Sequence, residues 1–327
     1  MAFAQLLFAI ATTGSLLLLA ALTGVVIRRG FQERRVGRMV RRAGEFRKAV
    51  LPLMARRDRD AAAALAAWRG DPVALEVAGQ LLQLLRGAER ERLLDFVREL
   101  DLLDLERELI RLRARNIARR TATVRKLGGF PLSEVIEALA QCFRTDPAFG
   151  VRLEAGLALV RLGALPSVDE ALAALDDDGF RSPAHRIIFR ALAGDRPAEV
   201  VAAWDRHATG APRFALADAL GDVFDPKAVA ALRMAIMDAD PQMRCEGLRS
   251  ARRLGHPTLA PAVLAALADP EWIVRVQAAS AVGVMRLEAA RPQLEALMSD
   301  AQWWVRYRAG EALTALQRSV PAKAAAA

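Results

Sequence analysis

The chain has 327 residues, of which 54% are hydrophobic and 6% are aromatic, and its formal net charge is +9. This length allows one or two domains with a substantial core. Alanine and leucine dominate and no stretch alternates with a period of two for long, which excludes a strand-rich fold and predicts an all-α protein.

The positive charge is concentrated in one short segment. Residues 28–48 carry nine cations and two acids, a net charge of +7, which leaves +2 for everything else. A repeat region that binds nucleic acid would need a strongly cationic surface. The charge distribution therefore argues against nucleic acid as a partner.

The first predicted element is a transmembrane helix over residues 2–27, which are uncharged and mostly apolar. A helix of this length spans about 39 Å at roughly 1.5 Å per residue, more than the ~30 Å of bilayer hydrocarbon. The cations that follow predict a single-pass protein of the cell (inner) membrane, with its N-terminus outside and its body in the cytoplasm. A cleaved secretory signal is the alternative, but it would carry cations before the apolar run.

Residues 28–57 are predicted to form a basic juxtamembrane helix or linker. The segment either continues the span as a stalk or lies along the membrane surface, and the sequence leaves both open. Polybasic segments are attracted to anionic lipid by about 1 kcal/mol per residue, so 28–48 is the predicted lipid-binding segment. Determination of membrane topology explains the same charges equally well.

Residues 58–145 read as divergent helical repeats, in which short amphipathic helices are divided by turn residues. Asp71 is a candidate N-cap, with Pro72 at the first helical position. Further helices are predicted at 117–127 and directly after Pro131. None is long enough for a coiled coil, so each must pack against its neighbours in sequence.

Residues 146–318 contain a repeat that is clearest at its C-terminal end. An offset of 31 residues superimposes Asp238, Asp269 and Asp300, and also Arg213, Arg244, Arg275 and Arg306. One unit is an Asp-led helix of about four turns, a bend, and a second helix that begins near a proline. Each unit has an apolar face that only the next unit covers, which predicts an α-solenoid.

Two earlier copies of the unit are looser. One begins at Asp146, with Arg152 in the arginine position, and the other begins at residue 182, with Arg186 in that position. No aspartate stands at the expected place near 208–212. The stack is therefore predicted to be distorted there.

The HEAT repeat is the known family that these units resemble, in the variant also found in phycobilisome lyases. The shared pattern is D-x-x-x-x-V-R-x-x-A-x-x-A-L, carried here by DPEWIVRVQAASAVGVM and DAQWWVRYRAGEALTAL. The resemblance is specific over 238–316 and weaker before that. It implies bonds between neighbouring repeats, and hence a structural ladder formed by Asp238, Asp269, Asp300, Arg244, Arg275 and Arg306.

The sequence predicts no catalytic, cofactor or metal site. His185, His207 and His256 stand alone, without a second histidine or carboxylate three or four residues on, as a helical metal site would have. The acidic run 176–178 is interpreted as a turn, since its spacing is unlike a calcium loop. Cys142 and Cys245 match no metal or redox spacing and are interpreted as buried thiols in a reducing compartment.

Three tryptophans and one arginine are candidate contacts for a protein partner: Trp272, Trp303, Trp304 and Arg308. Trp272 and Trp303 share a repeat position, where packing under the preceding turn is the alternative. Ile273 stands at the position equivalent to Trp304, so Trp304 is the better candidate for a contact.

Together these features predict a non-catalytic scaffold that is tethered to the membrane and holds a protein partner. By analogy alone, the setting is an envelope polysaccharide or transport assembly. Two alternatives stay open: a lyase or chaperone acting on a tetrapyrrole-carrying protein, and a nucleic-acid binder. Residues 319–327 are predicted to be a disordered tail.

Overall fold

The computed structural model describes residues 22–23, 28–30, 32–52, 67–99, 103–176, 182–207 and 210–318. The predicted span at 2–27 lies outside these residues except for 22 and 23, and the predicted tail at 319–327 lies wholly outside them. No helix within the described ranges is long and apolar enough to cross a membrane. All regular structure in these ranges is helical, which confirms the all-α prediction.

The chain divides into two units, Met1–Glu108 and Leu109–Ala327. The described helices of the first unit are α1 (32–52), α2 (Pro72–Leu84), α3 (Gly87–Glu99) and α4 (Leu105–Arg111), which crosses the boundary. Asp71 accepts hydrogen bonds from the main-chain nitrogens of Val73 and Ala74 at 2.8 and 3.2 Å, and is the predicted N-cap of α2.

The two halves of α1 differ in their surroundings. Near its C-terminal end, Phe46 and Val50 are fully buried, and the Phe46 ring meets the Trp68 ring edge-on at 5.4 Å. Arg42 pairs with Asp71, the N-cap of α2. The last turns of α1 therefore belong to the folded core of the first unit, whereas its first half is exposed.

The second unit consists of helical hairpins. Its described helices are α5 (Ile117–Leu127), α6 (Ser133–Thr145), α7 (Phe149–Leu162), α8 (Val168–Ala174), α9 (Pro183–Asp195), α10 (Pro197–Arg206), α11 (Pro212–Leu220), α12 (Pro226–Ile236), α13 (Pro241–Leu254), α14 (Ala260–Ala265), α15 (Trp272–Met285), α16 (Arg291–Leu297) and α17 (Trp303–Arg318). Short 3-10 turns at Pro257–Leu259, Ala266–Ala268 and Glu288–Ala290 flank α14 and precede α16.

These helices form two layers. The odd-numbered helices α5 to α17 pack side by side in the first layer, and α6, α8, α10, α12 and α14 follow one another in the second. Leu232, Val263 and Leu294, which share one repeat position, are all fully buried. The predicted solenoid is confirmed, with its core running between the layers.

Gly247 marks the closest approach between the layers. It occupies the repeat position of Ala278 and Ala309, but a Cβ placed on it would lie 2.7 Å from the main-chain nitrogen of Ile236 and 2.9 Å from the carbonyl carbon of Ala235. Contacts this short involve backbone, which cannot rotate away. Helices α12 and α13 therefore meet here at a distance that only glycine permits.

We expect Gly247→Ala to lower the free energy of unfolding by about 1–3 kcal/mol, because the new methyl group overpacks the seam. The matched control is Gly150→Ala in α7, where the added Cβ meets nothing within 4 Å. The control should leave stability unchanged or raise it by up to about 1 kcal/mol. Urea denaturation followed by circular dichroism compares them, and equal stabilities would contradict the close approach.

Candidate protein-docking site

An arginine–aspartate ladder joins neighbouring hairpins. Arg244 donates Nε and Nη2 to the two Asp269 carboxylate oxygens at 2.7 and 2.8 Å, and Nη1 to the main-chain oxygen of Asp238 at 3.0 Å. Arg275 binds Asp300 in the same way, at 2.8 and 3.1 Å. Each arginine thus ties the start of its own helix to the start of the next first-layer helix.

The ladder aspartates also bind the main chain just before the next first-layer helix. Oδ1 of Asp269 accepts from the Glu271 main-chain nitrogen at 2.9 Å, and Oδ1 of Asp300 accepts from that of Gln302 at 2.8 Å. The hydrogen bond from Arg275 holds the pKa of Asp300 below its usual value. One carboxylate therefore satisfies a helix start and a neighbouring guanidinium at once.

The ladder changes at both ends of the C-terminal repeats. Arg213 makes a single bond to Asp238, at 3.0 Å, because its guanidinium lies 4.3 Å over the Trp204 ring. Arg306 donates Nη1 to the main-chain oxygens of Asp300 and Ala301 at 2.7 and 3.1 Å. Within the described residues, Arg306 has no carboxylate partner.

A further rung lies in the region that the sequence assigns to divergent repeats. Arg120 donates to both carboxylate oxygens of Asp146, at 2.8 and 2.9 Å, and its Nη1 donates to the Ala114 main-chain oxygen at 2.8 Å. Both partners are buried. The 26-residue separation, against 25 in the later rungs, is the signal that could have identified Arg120. Arg152, as its predicted position requires, donates to the Asp146 main-chain oxygen at 2.9 Å.

The middle of the stack departs from the ladder where the aspartate is missing. Arg186, predicted in the arginine position, donates instead to Glu246, at 3.0 Å. The bidentate bond is made one helical turn later, from Arg190 to Asp218 at 2.8 and 2.7 Å. The predicted irregularity near 208–212 therefore appears as a shifted ion pair between α9 and α11.

We call Arg190, Asp218, Asp222, Glu246 and Arg253 the central cluster, which the sequence did not predict. Arg253 donates Nε to Asp222 at 2.6 Å and also bonds Asp218. Burial raises the pKa of Glu246, whose Oε1 has no hydrogen-bond partner within the described residues. The members come from α9, from α11 and the turn after it, and from α13, and their charges largely neutralise one another.

An exposed aromatic patch lies at the start of α17 and consists of Trp303, Trp304 and Tyr307. These residues are 54%, 52% and 44% exposed. The Trp303 ring stacks on Tyr307 at 5.2 Å and meets Trp304 edge-on at 4.6 Å. Tyr307 was not predicted, although its position one turn after Trp303 places both on one helix face.

The other two predicted contact residues are Arg308, next to Tyr307, and Trp272, one repeat earlier. Arg308 donates to Glu311 at 2.6 Å, and its guanidinium lies 5.8 Å from the Tyr307 ring. Trp272, at the position equivalent to Trp303, is 38% exposed. Neither Trp272 nor Trp303 is buried under the preceding turn, so both remain accessible.

A groove of about 610 Å³ runs along α17 beside the aromatic patch. We call it the terminal groove; its lining residues are Met298, Arg306, Tyr307, Gly310, Glu311, Thr314, Ala315 and Arg318. Arginine, aromatic and small apolar side chains thus share one surface. Such a surface can bind a protein segment.

The remaining candidate ligands make local contacts. His185 is buried with Nδ1 2.7 Å from the Ser182 hydroxyl, and Nδ1 of His256 is 2.7 Å from the Thr258 hydroxyl. In the described part of the chain, no three His, Cys, Asp or Glu side chains are grouped to hold a metal. Most of the 176–178 run lies outside that part.

The two cysteines differ from each other. Cys245 is buried as predicted, and burial raises the pKa of its thiol to about 11. Cys142 is only half-buried, which corrects the prediction that both are buried. Its position on α6 leaves part of the side chain uncovered.

Comparison with known proteins agrees with this architecture. Residues 233–314 match the family model for HEAT repeats. The second unit is an all-helical repeat solenoid, and its residues 233–314 are similar to HEAT repeats. No curated protein matches the sequence.

Several solved structures are similar to the chain at low identity. Human deoxyhypusine hydroxylase is 20% identical, with a TM-score of 0.34, and the match covers 75% of this chain and 96% of that one. Escherichia coli YibA is 16% identical, with a TM-score of 0.45, and the match covers 75% of this chain and 92% of that one. The karyopherin Kap121p, in a structure bound to the extreme C-terminus of the phosphatase Cdc14p, is 16% identical, with a TM-score of 0.43. That match covers 84% of this chain and 35% of the karyopherin chain.

We expect Arg275→Ala to lower the free energy of unfolding by about 2–3 kcal/mol, because it leaves the largely buried Asp300 carboxylate without its ion pair. Arg306→Ala is the matched control, since it removes the same main-chain bonds but no described carboxylate pair. Its cost should stay below about 1 kcal/mol. Urea denaturation measures both, and equal losses would mean that the carboxylate pair contributes nothing.

Proposed function

We propose that this protein is a non-catalytic scaffold, tethered to a membrane, that holds a protein partner on its solenoid. The partner is expected to be membrane-associated and to belong to a larger assembly, such as one for envelope polysaccharide or transport. The observation that carries the proposal is the exposed aromatic patch. Apart from Arg306, the charged side chains of the ladder and the central cluster are engaged in ion pairs within the described residues, which favours binding over catalysis.

The aromatic patch has the composition of a protein-binding surface. Trp, Tyr and Arg are the residues that most often dominate binding energy at protein interfaces. Trp303, Trp304 and Tyr307 are in mutual contact, so they offer one continuous apolar area rather than scattered rings. Rings held against one another lose little freedom on binding, which favours affinity.

Two features support attachment to a membrane at the other end of the chain. The uncharged segment 2–27 is long enough to span a bilayer. In the first half of α1, Val36, Met39 and Val40 are 58%, 41% and 65% exposed among exposed arginines. An apolar strip flanked by cations is suited to an anionic lipid surface. Tethering to one bilayer would raise the effective concentration of a membrane-associated partner.

We expect Trp304→Ala to reduce recovery of the partner at least tenfold when the full-length protein is purified from detergent extracts, because the patch loses its central anchor. Arg308→Ala should cause a smaller loss, since its guanidinium is shared with Glu311. Phe224→Ala is the matched control, because Phe224 is 82% exposed elsewhere in the solenoid. Quantitative mass spectrometry reports recovery; equal recovery with Trp304→Ala and Phe224→Ala would remove the patch from the interface.

We expect deletion of residues 2–27 to move the protein from the alkali-resistant membrane fraction to the supernatant. The truncated protein should still float with vesicles containing anionic phospholipid at low salt, and release at high salt, because residues 28–48 retain their charge. Vesicles of phosphatidylcholine alone are the control. Retention of the truncated protein after alkaline extraction would overturn the assignment of the anchor.

A further inference from the structure

Helix α17 presents a face that the preceding hairpins cover. In α15 that face is closed by α17: Ala279 is fully buried, and a Cβ on Gly283 would lie 3.1 Å from the Cα of Ala312. The equivalent residues in α17, 31 positions on, are Gly310 and Thr314. Both line the terminal groove. Within the described residues, no helix covers this face of α17.

Arg306 repeats half of the ladder geometry. Like Arg244 and Arg275, it uses Nη1 to bind the two main-chain oxygens at the start of its own helix. In those two residues, Nε and Nη2 bind an aspartate that lies just before the next first-layer helix. In Arg306, Nε and Nη2 bind no carboxylate of the described residues. Arg306 also lines the terminal groove.

We propose that the terminal groove receives a helix of a partner protein that is preceded by an aspartate, as α15 is by Asp269 and α17 by Asp300, so that the partner continues the stack by one hairpin. Arg306 binds the carboxylate through Nε and Nη2, and the helix packs on Gly310, Thr314 and Ala315. This inference rests on the proposed scaffold function and names the chemistry of its partner. The aromatic patch adjoins the groove through Tyr307.

The aspartate does not come from the residues directly after α17. Residues 319–327 contain one lysine and no acidic side chain. A second copy stacked head to tail would bring the start of the first described hairpin of the second unit to the groove. There Ala114 occupies the aspartate position, six residues before Arg120, and Arg113 and Arg115 flank it. Cations would then face Arg306 and Arg318, so the partner is a different protein.

The test uses a fluorescent peptide of residues 269–298. This peptide contains a complete hairpin and begins with Asp269, the aspartate that binds Nε and Nη2 of Arg244. The peptide is titrated into the purified full-length protein in detergent, with anisotropy as the readout. The Asp269→Asn peptide should bind about tenfold more weakly, because a charge-assisted bidentate bond is lost. Arg306→Lys should weaken binding of the unaltered Asp269 peptide by a similar factor, because lysine keeps the positive charge but cannot form the bidentate bond.

Arg291→Ala, which removes a cation from the same region outside the groove, is the control and should leave binding unchanged. In the Arg306→Lys protein the Asp and Asn peptides should bind alike. Equal binding of the two peptides to the unaltered protein would overturn the inference, whatever the stability of the variants. Loss of the natural partner in Trp304→Ala but not in Arg306→Lys would also overturn it, while leaving the scaffold function intact.

Discussion

A helical hairpin of about 31 residues cannot bury both of its faces, and the whole second unit follows from that constraint. Each first-layer helix needs the next one against it, so the array holds together only in series. The arginine–aspartate ladder lies at these seams. Because one carboxylate binds the main chain just before a helix and accepts a bidentate bond from the preceding hairpin, it fixes the spacing and register of two neighbours together. The main-chain carbonyls that bind Nη1 offset part of the desolvation cost of the arginine.

The middle of the stack shows how the same constraint is met without the repeated aspartate. Arg190 and Asp218 form the bidentate bond one turn further along the helix, and Arg253 continues the network into α13. The polar contact is preserved, but its residues are no longer equivalent to those of the ladder. Buried charges demand partners, so the loss of one acid is compensated by another wherever the packed helices bring one close.

The proposed binding surfaces lie on exposed helix faces. On α17 the face that earlier hairpins bury is open, and the aromatic patch stands beside it. The open face of α17 is thus the same kind of packing surface that joins neighbouring hairpins inside the solenoid. The first half of α1 is the other exposed element of distinctive composition, with cations surrounding apolar side chains. One surface is suited to a protein and the other to anionic lipid.

The sequence alone determined the features that depend on local chemistry or fixed spacing. Asp71 and Pro72 signal a helix start, the 117–127 helix has its predicted bounds, and the 31-residue offset exposes the repeat because a hairpin has a set length. Only the tertiary structure decided which side chains meet. The Arg120–Asp146 rung lies in the region where the repeat pattern is weak, and the members of the central cluster are brought together by the packing of α9, α11 and α13. Exposure of the patch and the terminal groove likewise depends on which helix faces are covered, and covering is a property of the packed array rather than of any single segment.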